Sequence, residues 1–154
     1  MKKIAAIGLL LLAGLGVFGQ ANGTLEYIES GVTLRMNAPI QEDGHRKFMM
    51  GFQTNDVYEC ANFPIEYDAR LEGSKLIVRL KGVRHTDPCE TGMAPARTIV
   101  DLTQLETGKY KVRVIINRQV FKAKMELTDS YIDFDIPKED PSLFRIYNGR
   151  LNLI

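Results

Sequence analysis

From about residue 24 onward, apolar and polar side chains alternate with a period of two, and helical periodicity is missing. A period of two places successive side chains on opposite faces of an extended strand, so one face is dry and the other wet. The clearest stretch runs from 65 to 82. Ile65, Tyr67, Ala69 and Leu71 alternate with Glu66, Asp68, Arg70 and Glu72. After Gly73-Ser74, Leu76, Val78 and Leu80 alternate with Lys75, Arg79 and Lys81. Glycine first in a two-residue loop suits a type II′ hairpin turn. Centring the hairpin there pairs Leu71 with Leu76, Ala69 with Val78 and Tyr67 with Leu80, so every apolar pair lands on one face.

That register bears on the two cysteines. Extended past the hairpin's open end, it brings Cys60 almost opposite Cys89, within reach of a disulfide. Closing the loop between them is worth ~3–4 kcal/mol in the chain-entropy model. The alternative is a pair of buried free thiols.

The N-terminus suggests where such a bridge would form. Lys2 and Lys3 precede an apolar run from Ile4 to Phe18, and small residues follow at Gly19, Ala21 and Gly23. This is the layout of a secretory signal peptide, residues 1–19 or 1–23, too short and glycine-rich for a convincing membrane span. A single domain is expected over 24–154, exported to the periplasm, the cell surface or the medium and not membrane-spanning once processed. Two cysteines in an oxidising space most simply form one bridge.

Further strands follow the same logic. Tyr110, Val112, Val114 and Ile116 alternate with Lys109, Lys111 and Arg113. Beyond a turn at Asn117-Arg118-Gln119, Phe121, Ala123, Met125 and Leu127 alternate with Lys122, Lys124 and Glu126. Ile132, Phe134 and Ile136 alternate with Asp133 and Asp135 as a third strand of a meander. Phe144 and Ile146, then Asn148-Gly149, then Leu151 and Leu153 suggest a last hairpin with a favoured Asn-Gly turn. Shorter strands are expected near 32–36, 47–53 and 97–102, with loops at QEDGHRK (41–47) and PKEDPS (137–142). Many short strands with turn signals between them predict an all-β fold, an antiparallel β-sandwich, with a small closed barrel as the alternative.

One corner carries a resemblance. In VDLTQLETGKYKVRV (100–114), Leu105, Gly108, Tyr110, Val112 and Val114 follow the pattern that precedes a late strand in immunoglobulin-like and fibronectin-III-like sandwiches. Glycine turns the chain between sheets, and the tyrosine hydroxyl ties back to upstream backbone. The segment resembles secreted bacterial immunoglobulin-like domains, which implies an immunoglobulin-like sandwich. The chain departs from the antibody pattern in having no tryptophan and in the early, close spacing of its cysteines.

Chemistry is sparse. The chain is 45% apolar and 25% charged, with a formal net charge of +1, which gives no global pull toward nucleic acid or membrane. No P-loop, dinucleotide fingerprint or GxSxG elbow occurs, so no cofactor and no enzyme activity are expected. His85, Asp87 and Glu90 lie close together beside Cys89, with His45 as a distant partner, and would have to serve any metal-dependent hydrolase. Pro88 stiffens that turn and the bridge consumes Cys89, so a solvated polar loop without metal is expected.

Two stretches remain as binding candidates. Lys109, Lys111, Arg113, Lys122 and Lys124 should share one side of the second hairpin, with Arg118 at its tip. Such a stripe could hold a polyanion, such as an anionic glycan, or serve only as a solvated face that blunts aggregation, with Asp133 and Asp135 neutralising it sideways. The 90–97 stretch, with Glu90, Thr91, Met93, Ala94 and Pro95, lacks alternation and reads as an exposed loop held at one end by the bridge. A preorganised loop of this kind is how a secreted protease inhibitor presents a bait segment; the plainer role is a tight connection. The expected function is non-catalytic binding of a protein or an anionic glycan outside the cytoplasm, with protease inhibition through 90–97 as the alternative.

Overall fold

A computed structural model describes residues 23–135 and 143–153. Most of the leader, Ile136, the PKEDPS segment and the final Ile154 lie outside the described residues. All regular structure within them is extended. In chain order the strands are β1 (Leu25–Glu26), β2 (Val32–Asn37), β3 (Met49–Thr54), β4 (Tyr58–Cys60), β5 (Ile65–Glu72), β6 (Lys75–Arg84) and β7 (Thr91–Ala94). They continue with β8 (Arg97–Asp101), β9 (Gly108–Ile116), β10 (Gln119–Leu127), β11 (Tyr131–Asp135), β12 (Phe144–Ile146) and β13 (Arg150–Asn152).

Two sheets share the core. The larger runs β5-β6-β9-β10-β11-β13, with the short β1 beside the last residues of β6. The smaller runs β12-β2-β3-β8, and β4 and β7 form a separate ribbon. Val78, Val114, Phe121 and Phe134 from the large sheet join Leu34, Met50, Phe52 and Phe144 from the small one in a single buried cluster. The fold is thus all-β, of sandwich type, with no closed barrel. Thr54, 1% exposed, is the buried polar residue among the described ones. Its hydroxyl donates to the Asp56 carbonyl at 2.9 Å and accepts from the Ala96 amide at 3.0 Å, so its burial leaves no open valence.

The first hairpin forms in the expected register, Leu71 opposite Leu76, Ala69 opposite Val78 and Tyr67 opposite Leu80. A bulge between Glu66 and Tyr67 shifts the open end by one residue, and beyond it Cys60 and Cys89 are bridged with their Cα atoms 5.3 Å apart. At Gly82, φ is +149° and an added Cβ would stand 2.4 Å from the Glu26 carbonyl oxygen, so only glycine lets β1 pass this close.

Other expectations need correction. Pairing is not antiparallel throughout, because β6 and β9 run parallel, as do β12 and β2. Between β6 and β9 the chain leaves the large sheet, pairs as β7 with β4 and as β8 with β3, then returns, which gives the long connection a parallel pair requires. The return is made at the glycine–tyrosine corner, where the Tyr110 hydroxyl donates to the Glu106 carbonyl at 2.8 Å. The second hairpin turns on two residues rather than three: Asn117 and Arg118 have φ of 48° and 72°, and Gln119 already pairs with Ile116. Both positive angles match a type I′ turn.

The Asn-Gly tail is not a hairpin. β12 extends the small sheet and β13 extends the large one. Asn148 explains the difference: its side-chain amide accepts from the Met36 amide and donates to the Met36 carbonyl, both at 2.9 Å, so it completes the β2 edge as a strand residue would. The chain then crosses, and the Gly149 carbonyl accepts from Phe134 at 2.6 Å.

The disulfide closes a loop spanning 29 positions that contains the whole first hairpin. Replacing both cysteines (Cys60→Ser with Cys89→Ser) should cost ~3–4 kcal/mol and lower Tm by roughly 10–20 °C in scanning calorimetry. A change of only a degree or two would show that the bridge constrains the β4–β7 ribbon alone.

Candidate functional site

Alternation along β9 and β10 sends Val112, Val114, Ala123 and Met125 into the core and the intervening residues outward. Strand register then sets their neighbours. Lys75 of β6 lies beside Lys111, Lys111 opposite Lys124, and Lys124 opposite Asp135. One step along the strands, Arg113 faces Lys122 and lies beside Ile77. Ile77 points outward yet is buried, and in register it sits between Arg70 and Arg113, whose aliphatic stems can cover it. In the other direction Lys109, Glu126 and Asp133 form a mixed row.

The structure therefore gathers Lys111, Arg113, Lys122 and Lys124 as expected and adds Lys75, whose place depends on the parallel pairing. Lys109 stands apart: it is 82% exposed and reaches Glu126 at 3.7 Å. Arg118 is set off by an outward apolar pair, Ile115 and Val120. Among the described residues Lys75, Lys111, Arg113, Lys122 and Lys124 make no salt bridge, so Asp133 and Asp135 adjoin the group without neutralising it by contact.

The 90–97 segment is not a projecting loop. Thr91 pairs opposite Cys60 and Ala94 opposite Tyr58, which makes most of it the strand β7. Its ends are held too: the Glu90 amide donates to Asn62 Oδ1 at 3.1 Å, and Ala96, just past Pro95, is buried against Thr54. Glu90 to Met93 are nonetheless exposed, Met93 at 77%. The missing alternation that suggested a loop reflects the register shift between Tyr58 and Cys60, where Gly92 takes φ +141°.

His85 is engaged elsewhere. Its Nε2 lies 2.5 Å from Glu26 Oε2, and its ring centroid is 4.4 Å from that of Phe63. Among the described residues no three histidine, cysteine, aspartate or glutamate side chains are grouped to hold a metal ion. His45 lies instead on a groove of about 710 Å³. Leu71 lines the groove and is 48% exposed, although its cross-strand partner Leu76 is buried. At its rim, the Asp101 carboxylate accepts from the Thr103 amide at 2.9 Å and meets Lys47 Nζ at 3.1 Å. The Thr103 hydrogen bonds, and secondarily Lys47, pull the Asp101 carboxyl down to about 2.

Comparison with known families, with curated proteins and with solved structures finds no match.

The lowered pKa of Asp101 has a signed consequence. A carboxyl more acidic in the folded than in the unfolded chain adds stability that is complete above its unfolded value, 3.8, and is lost as the pH falls toward about 2. Wild type should therefore melt above Asp101→Asn at pH 5, by no more than a few degrees given the exposure of the pair, and the gap should shrink below the unfolded value and close as the pH falls through about 2. Thermal melts of both proteins across that range test it.

Proposed function

We propose that the protein is an exported, non-catalytic binding domain that holds an anionic ligand on the outer face of its large sheet. The carrying observation is the group Lys75, Lys111, Arg113, Lys122 and Lys124, which lies across three adjacent strands without a salt bridge among the described residues. Net charge is only +1, so the group reflects segregation of charge within the molecule, not a basic composition. The backbone that carries these cations is a hydrogen-bonded ladder, ordered before any ligand arrives. Little backbone ordering is then lost on binding, and the local field raises the encounter rate.

The disulfide suits an oxidising, extracytoplasmic environment, and no helix among the described residues is long and apolar enough to cross a membrane. Secretion through the N-terminal leader fits both facts and belongs to this reading.

Binding to immobilised dextran sulfate tests it. Wild type should bind at low ionic strength and be released as salt rises through the range where the Debye length falls below about 10 Å. Lys111→Glu with Lys124→Glu should weaken binding by more than about tenfold while leaving Tm nearly unchanged, since neither lysine is buried or paired. Equal retention of the two proteins would overturn the proposal.

A further inference from the structure

The outer face holds two adjoining hollows, one cationic and one of balanced charge. One, of about 220 Å³, is ringed by the five cations Lys75, Lys111, Arg113, Lys122 and Lys124 over the Val112 and Ala123 positions. The other, of about 460 Å³, is charge-balanced: Glu126, Asp133 and Asp135 are matched there by Lys109, Lys111 and Lys124. Lys111 and Lys124 belong to both and form the ridge between them. The larger hollow lies within the size range of small-ligand sites.

The two hollows ask for different chemistry. The cationic one attracts a carboxylate, sulfate or phosphate group. The balanced one offers a second such group no net attraction. Its carboxylates are acceptors only, four lone-pair sites each, and want donors. A ligand that satisfies both carries an anionic group beside several hydroxyls. A bare polyanion, with charge at every repeat and nothing to donate, satisfies one hollow and leaves the carboxylates of the other without donors.

Resting on the anion-binding reading above, we infer that the ligand is an acidic glycan. Its anionic substituent sits among Lys75, Lys111, Arg113, Lys122 and Lys124. The hydroxyls of the same or the next sugar donate to Asp133, Asp135 and Glu126. Lys111 and Lys124 lie between the two groups and set the glycan's direction across the strands. The carboxylates thus read polyol character, and the lysines read charge. Discrimination against polyphosphate and nucleic acid is built into the face, because the acids that favour a sugar disfavour a naked chain of phosphates.

The experiment uses the disulfide-bonded chain with three soluble probes: polygalacturonate, polyphosphate of matched charge, and neutral dextran. Affinities are measured by titration calorimetry at low salt for wild type and for Asp133→Ala with Asp135→Ala, and the fold is checked by circular dichroism. Wild type should favour polygalacturonate over polyphosphate and ignore dextran. The double variant should lose about tenfold on polygalacturonate, through lost charge-assisted hydrogen bonds, and gain a few-fold on polyphosphate, through relief of repulsion. If the alanine pair does not fold, Asp133→Asn with Asp135→Asn serves, with the same signs and smaller size. Movement of both polymers in one direction, or of neither, overturns the glycan inference and leaves the anion-binding proposal standing. Failure of wild type to bind either charged polymer overturns both.

Discussion

The parallel contact between β6 and β9 organises the molecule. β6 is the strand with the most partners, joined by β5 on one side and by β9 and β1 in succession on the other. Without the β6–β9 contact, the hairpin of β5 and β6 would keep only the two-residue β1 beside it, close to the isolated ribbon that is marginal in water. With it, a continuous inner face of Leu76, Val78, Val112 and Val114 is available to pack on the small sheet. The same contact brings Lys75 beside Lys111 on the outer side. One pairing thus sets both the dry and the wet chemistry of the sheet.

What the two faces do with charge differs by region. Around β5 and the end of β6, opposite charges meet: Lys81 with Asp68 at 2.9 Å, and Arg84 with Glu66 at 2.7 Å. The Arg84 hydrogen bond holds the Glu66 carboxyl below its ordinary range, and the same guanidinium donates from Nη1 to the Gly23 carbonyl at 2.5 Å. These contacts tie the N-terminal strand to the hairpin. In the middle of the sheet the pattern reverses: lysine faces lysine across the β9–β10 pair. Like charges directly opposite cost stability, so this is a place where the sheet gives up some of its own cohesion.

Local pattern was readable where partners are near in sequence. The β5–β6 register follows from Gly73 and the placement of leucines, and the disulfide follows from that register. The tyrosine corner shows in a short run around Tyr110. Alternation says which face a residue occupies but not which strand lies next to it. Hence Lys75 was invisible as a member of the basic group, and β7 was hidden because a bulge at Gly92 broke its period. The tail misled for a related reason. Asn-Gly is a strong hairpin signal, yet the Asn148 amide found a better partner in Met36, at a sequence distance of 112, than a turn could offer. Leu71 shows the converse: its pattern is that of a core residue, yet it lies exposed on the groove while its partner Leu76 is buried.

The Asn148–Met36 link also orders events in time. The edge of the small sheet laid down by the first third of the chain is completed only by residues near the other end, and the Arg46 guanidinium reaches the Leu153 carbonyl there. A polypeptide emerging in order therefore holds its early strands with one side open until the last stretch arrives. On the secretion reading proposed above, that delay is useful: premature closure would jam passage through a narrow channel, and this topology postpones closure until β12 and β13 are made.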